Sequence, residues 1–113
     1  MIISTANSIT NYRIVKTIGL VRGNSVRGTH IGKDILAVIK NVLGGEIEEY
    51  TKLLAESRDQ SVDRMVQDAE AQGANAIIEM RFSTSQIMAN AAEILAYGTA
   101  VIIEPLEAAE KKQ

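Results

Sequence analysis

The chain has 113 residues, 46% hydrophobic and 23% charged, with a formal charge of −2 and no cysteine. Such a composition suits one soluble domain with its own core, and it excludes disulfides, thiolate metal sites and cysteine nucleophiles. Met1–Ile9 lacks the basic start and apolar run of a signal peptide, and no run of about 18 apolar residues exists for a membrane span, so a cytoplasmic location is expected.

In chain order, Met1 to Ser4 predicts a short strand, followed by a polar turn through Asn7, Ser8 and Asn11. Tyr12 to Val21 (YRIVKTIGLV) is rich in Ile and Val and predicts a second strand. Ile14, Ile18 and Leu20 would share one face and Val15 and Val21 the other, with Gly19 marking a bulge or a close backbone approach. The glycine-rich stretch VRGNSVRGTHIGK comes next. Asp34 can cap a short helix from Ile35 to Leu43, apolar almost all round and ended by Gly44. Gly44 and Gly45 then supply a corner.

The spacing of Ile47, Tyr50, Leu54, Val62, Met65 and Ala69 predicts one long amphipathic helix over Glu46–Gln72. One gap in its apolar stripe falls at Arg58. Glu46, Glu48 and Glu49 suit the first turn, and Gly73 stands where a left-handed residue ends a helix. Arg64 and Asp68 have i,i+4 spacing on the exposed side. A helix of that length spans roughly 40 Å, against a radius of gyration of about 13 Å for a compact chain of this size. Part of its stripe must therefore overhang the sheet or meet another subunit, which predicts an oligomer.

Asn75 to Ser85 alternates, with Ala76, Ile78, Met80 and Phe82 against Ile77, Glu79, Arg81 and Ser83, and predicts a strand with one core face. Thr84 to Asn90 is the expected connector. Glu93 to Ile103 predicts the last strand, with Leu95, Tyr97, Val101 and Ile103 on one face and Ile94, Ala96, Gly98, Ala100 and Ile102 on the other. Its Ala-Gly-Ala centre at Gly98 leaves room for a helix or a neighbouring backbone. Pro105 ends the strand, so residues 1–105 form a single domain and residues 106–113 a polar tail. The order strand, strand, helix, helix, strand, strand indicates an α+β fold: an antiparallel or mixed sheet with one short and one long helix packed on one face.

The blocks VRGNSVRG, GGEIEEYTKLLAESR, GANAIIEMRF and AYGTAV, in this order and spacing, resemble the YbjQ family over roughly Met1 to Glu104. The resemblance implies a subunit similar to dodecin-type folds, assembled as a ring-like homopentamer. It implies no particular biochemical activity and carries a heavy-metal-binding label. The family pattern has a small residue and an Asp around the GANAI-RF block where this chain has Glu79, Met80 and Ser83, so no ligand role passes to an acid after Phe82.

Soft heavy metals want thiolates, and imidazole serves Zn, Cu and Ni. The chain offers no Cys, one His (His30) and four Met. Five copies of His30 could converge in a symmetric ring, but a lone His is more often a loop or surface residue, and no resident metal or other cofactor is expected. The glycine-rich stretch could expose backbone amides to an anion, with Arg22, Arg27 and Lys33 completing the site. It fits neither GxxxxGK[ST] nor GxGxxG, and the favoured alternative is a bulged strand and hairpin.

Arg58, if buried on the helix stripe, needs a carboxylate or carbonyl partner. Glu79, Glu93 or an acid of a neighbouring subunit could supply it. No Ser/His/Asp set or metal triad is present, and Glu79 with Glu93 is the one carboxylate pair that neighbouring strands could bring together. The expected protein is thus a non-enzymatic homo-oligomer; the competing reading is a small-molecule or anion binder, or an enzyme, with pockets between subunits near residues 22–33.

Charge is unevenly spread: residues 1–45 carry +5, residues 46–72 carry −5 and the rest −2. A basic first third beside an acidic helix suggests complementarity within or between subunits. Six spread basic residues and four aromatics make a poor nucleic-acid surface.

Overall fold

The structure, a computed structural model, describes residues 1–27, 47–88 and 91–106. Two residues form β1 (Ile2–Ile3) and sixteen form β2 (Tyr12–Arg27). The helix α1 (Ile47–Ala71) is followed by β3 (Ala76–Met88) and β4 (Ala91–Pro105). The four strands make one mixed sheet in the order β1-β3-β4-β2, parallel only between β1 and β3. The fold is α+β, as expected. The predicted short helix at residues 35–43 lies outside the described residues.

The helix bounds fall within a residue of expectation at each end, and its C-terminus shows why. Gly73 has φ +85°, its amide donates to the Glu70 carbonyl at 3.0 Å, and the Ala74 amide donates to the Ala69 carbonyl at 3.0 Å. This pair of bonds is the Schellman arrangement, and Ala74 then turns into the same core as Ala69.

The buried face of the helix differs from the predicted stripe. It runs Ser57, Ser61, Met65, Ala69, in steps of four, and Arg58 is exposed. The cause lies on β2. A Cβ on Gly23 would sit 2.3 Å from both the Met65 amide nitrogen and the Ser61 carbonyl oxygen. Helix and strand backbones approach so closely that only small side chains fit between them. The Ser61 hydroxyl is satisfied there, donating to the carbonyls of Ser57 (3.0 Å) and Ile94 (2.9 Å). Arg64 and Asp68 do not pair with each other. Both reach the outer edge of β2, where Arg64 donates to the Asn24 carbonyl and the Arg22 amide donates to Asp68 at 3.2 Å. These bonds occupy backbone groups that an edge strand otherwise leaves open.

β2 runs six residues beyond the predicted Val21, so VRGNSVR is strand and not loop. Register shifts at Ile14/Lys16 and Thr17/Gly19 place Ile14 and Ile18 against different cores rather than on one face. β3 likewise departs from simple alternation. A bulge between Ile78 and Arg81 turns Glu79 to φ +53°, so Ile77 and Met80 join the helix-side core while Ala76 and Ile78 face the other side. The N-terminal segment fills the bulge: Glu79 and Met80 donate their amides to the carbonyls of Ala6 (2.9 Å) and Ser4 (3.0 Å). The expected connector at Thr84–Asn90 is mostly strand, since β3 continues to Met88 and β4 begins at Ala91. Long hairpin strands tolerate the polar residues Ser83, Thr84 and Ser85 because one pair of edges stays in water.

Two cores result, on opposite faces. Val21, Met65, Ala69, Ile77, Met80, Ala96 and Ala100 pack beneath α1, whereas Ala76, Ile78, Val101 and Ile103 pack with Ile9, Tyr12 and Ile14. The Asn75 side chain extends the sheet, donating to the Ile103 carbonyl (2.9 Å) and accepting from the Ile103 amide (2.8 Å). With strands of 16, 13 and 15 residues, the sheet outruns the helix, and the Cα radius of gyration is 18.2 Å. The compact shape assumed from chain length is therefore corrected.

Ser25 is fully buried, and among the described residues its hydroxyl has no hydrogen-bond partner. An unpaired buried hydroxyl costs about 1 kcal/mol or more. Ser25→Ala is expected to raise the urea midpoint, with a gain of about 1 kcal/mol; a lowered midpoint would show that the hydroxyl is bonded in solution.

Candidate functional site

On the face away from α1, beyond the second core, the sheet is open. The cross-strand register sets side chains there in rows. Arg22 on β2 and Arg81 on β3 are each the direct partner of Tyr97 on β4, so the three stand abreast. Arg22 and Arg81 are exposed and Tyr97 is half-buried. Their face follows from their neighbours, since Val21, Gly23, Ala96 and Gly98 are buried on the helix side. The next row holds Asn24, Leu95 and Ser83, and the one after it Val26, Glu93 and Ser85. Asn24 donates its side-chain amide to Glu93 at 3.0 Å. Leu20 borders the row on the other side, 64% exposed.

Arg81 is held in place. Its Nη1 donates to the carbonyls of Thr5 and Met80, each at 2.8 Å, so the N-terminal segment that fills the β3 bulge also anchors this guanidinium. Arg22 gives only its backbone amide to Asp68. The one ion pair among the described residues is Arg13 with Glu104, which are cross-strand partners on β2 and β4. It is largely solvated and contributes little to stability.

The residues singled out in the sequence are dispersed. Arg22 belongs to the open face. The Arg27 side chain, His30 and Lys33 lie outside the described residues. Arg58 is exposed in the single chain and forms no ion pair with Glu79 or Glu93. Glu79 is exposed in the bulge; Glu93 lies opposite Ser85, six residues further along β3, or roughly 20 Å. The two carboxylates therefore do not form a pair. Gly98 is buried where the bulge crowds β4: an added Cβ would meet Ile77 Cγ2 at 2.7 Å and the Ile78 carbonyl at 3.0 Å. This is the neighbouring backbone anticipated at the Ala-Gly-Ala centre, whereas the helix makes its closest approach at Gly23. Arg81 and Tyr97 escaped the sequence reading as site residues. Alternation places each on a strand face, but only the register brings them beside Arg22.

A family model described as "Putative heavy-metal-binding" matches residues 1–104. The chain belongs to the YbjQ family. It is 53% identical over 104 residues to a UPF0145 protein of Dehalococcoides mccartyi strain BAV1, covering 92% of this chain and 100% of that relative. A UPF0145 protein of Methanosarcina acetivorans is 52% identical over 103 residues, covering 91% of this chain and 97% of the relative. Among solved structures, a protein of the DUF74 family from Pediococcus pentosaceus superposes with a TM-score of 0.63 over 92% of this chain and 98% of that one. At 18% identity this likeness concerns the fold alone.

The donor set bears on the metal in the YbjQ description. Among the described residues, no three His, Cys, Asp or Glu side chains gather where they could hold an ion. Among the described residues, the acid in the rows beside Tyr97 is Glu93, which accepts from Asn24. These residues do not fit a soft-metal site, and no step is derived through a metal. Among the described residues, no helix is long and apolar enough to cross a membrane.

Proposed function

We propose that this YbjQ protein is a non-enzymatic cytoplasmic binding or scaffolding protein that works as a homo-oligomer, a ring of five by the family resemblance. The observation that carries the reading is apolar surface left in water by the single chain. Phe82 (45% exposed) on β3 and Val15 (43%) near the start of β2 stand away from the Arg22 row. Phe82 is instructive: it lies opposite Ala96 on the helix side, yet the helix lies over β2 and β4 and leaves it uncovered. Monomers rarely leave such side chains together along one elongated sheet, and a second copy is the simplest cover. Arg58, exposed in the single chain, is then available to an acid of a neighbouring subunit.

Light scattering and native mass spectrometry test the assembly. The expected mass is about five times the 12.2 kDa of one chain; a monomer at micromolar concentration would remove the proposal. Arg58→Met is expected to weaken the assembly, and an unchanged mass and melting temperature would leave Arg58 outside it. For a metal, equilibrium dialysis against Zn, Cu and Ni with His30→Ala as the comparison decides whether the one histidine contributes.

A further inference from the structure

We infer that the open face of the sheet binds an oxyanion, phosphate or carboxylate, carried on a planar or apolar body, with Arg22 and Arg81 holding the charge and Tyr97 the body. The inference deepens the reading of this protein as a binding protein by naming the class of ligand. It starts from the register. Arg22 and Arg81 flank Tyr97 on the two adjacent strands, which sets their Cα atoms roughly 10 Å apart at the ordinary strand spacing. Arg22 is free to swing over the ring, while Arg81, held through Nη1 by the Thr5 and Met80 carbonyls, presents its remaining edge from β3.

Among the described residues, neither guanidinium forms an ion pair. The ion pair among the described residues lies elsewhere, at Arg13 and Glu104, and Glu93 stands four residues along β4 from Tyr97, where its carboxylate accepts from the Asn24 side chain. Two unneutralised like charges on one face repel each other, and an anion relieves that repulsion. Arg81 is also oriented beforehand. Its two bonds to carbonyls both use Nη1, which leaves the Nε and Nη2 edge for the parallel two-bond recognition of a planar oxyanion. The half-exposed ring of Tyr97, with Leu20 at the border of the row, offers a surface for the rest of the ligand. A nucleic-acid strand fits less well, because successive bases need successive aromatic platforms and this face has a single tyrosine.

The test titrates the full-length protein with phenyl phosphate, benzoate and inorganic phosphate, followed by amide NMR shifts. Phenyl phosphate is expected to bind, and Arg22→Gln and Arg81→Gln are each expected to weaken it at least about tenfold. Tyr97→Leu should weaken phenyl phosphate and leave inorganic phosphate unchanged. Preference between phenyl phosphate and benzoate separates phosphate from carboxylate as the natural group. No binding of any probe at millimolar concentration, or equal binding by both Arg→Gln variants, would overturn the inference. Should Arg81→Gln loosen the fold through the lost N-terminal contacts, the exposed Arg22→Gln decides alone. Light scattering on the same samples keeps the two readings apart. A change in subunit number in the Arg→Gln variants makes this face an interface between copies and overturns the ligand site. A wild-type monomer that binds phenyl phosphate in an arginine-dependent way leaves the site standing and removes the assembly.

Discussion

Gly23→Ala is expected to lower the stability of the fold by about 3 kcal/mol, and more if the helix cannot shift. The added methyl would lie 2.3 Å from two backbone atoms of α1, the Met65 nitrogen and the Ser61 oxygen, and 2.7 Å from the Arg64 carbonyl carbon. No rotamer change relieves a clash with backbone. The helix would have to back away from β2 by about an ångström, judged against ordinary contact distances near 3.5 Å. Doing so lengthens the bonds from Ser61 to Ile94, from Arg64 to Asn24 and from Arg22 to Asp68. Urea unfolding followed by circular dichroism measures the loss, and a midpoint equal to wild type would contradict the contact.

Met65→Ala is expected to cost a similar amount, about 3 kcal/mol within the range for large-to-small core changes. Met65 is fully buried, at the centre of the core beneath α1. Among the described residues it is the largest side chain on the helix's buried face, which runs Ser57, Ser61, Met65 and Ala69 in steps of four. Small residues around it cannot collapse into the space, so the cavity remains. Met65→Leu, of similar volume, should lose less than about 1.5 kcal/mol. Arg58→Ala, about two turns away at an exposed position, should change the stability of the single chain by less than about 0.5 kcal/mol. Thermal melts check the order of the Met65 variants, and an Arg58→Ala cost comparable to that at Met65 with the subunit number unchanged would return the arginine to the buried stripe.

Much of the architecture was legible because it rests on local energetics. The long helix carries a period of 3.6 and a glycine at its end, and its observed limits of Ile47 and Ala71 fall one residue inside those expected. The division of β4 into two faces also held, with Ile94, Ala96, Gly98 and Ala100 beneath the helix and Val101 and Ile103 in the second core. The errors share a cause. Reading the helix stripe through Arg58 assumed that buried means apolar, whereas the close approach at Gly23 selects small residues and accepts Ser57 and Ser61. Reading β3 as strict alternation missed the single inserted residue at Glu79, which reverses the faces of everything before it relative to everything after.

The site shows the same division. Arg22 was noticed for the glycines around it, in company with Arg27 and Lys33. Its observed neighbours are Tyr97 and Arg81, from strands far along the chain. No local pattern announces such a trio, because each member alone reads as an ordinary residue on the wet face of a strand.

The amino-acid sequence by itself determined the long helix and where it stops, the centres of the strands but not their ends, and the α+β class, because these follow from periodicity, capping and backbone freedom within a few residues. Only the tertiary structure decided which faces meet. Strand register has a period of two, so one bulge exchanges inside for outside, and the contacts that fix the bulges at Ile14, Thr17 and Glu79 come from distant parts of the chain. The overhanging helix that first suggested an assembly gives way to a sheet longer than its helix. That sheet leaves apolar side chains and two arginines exposed to water, and both follow from its register.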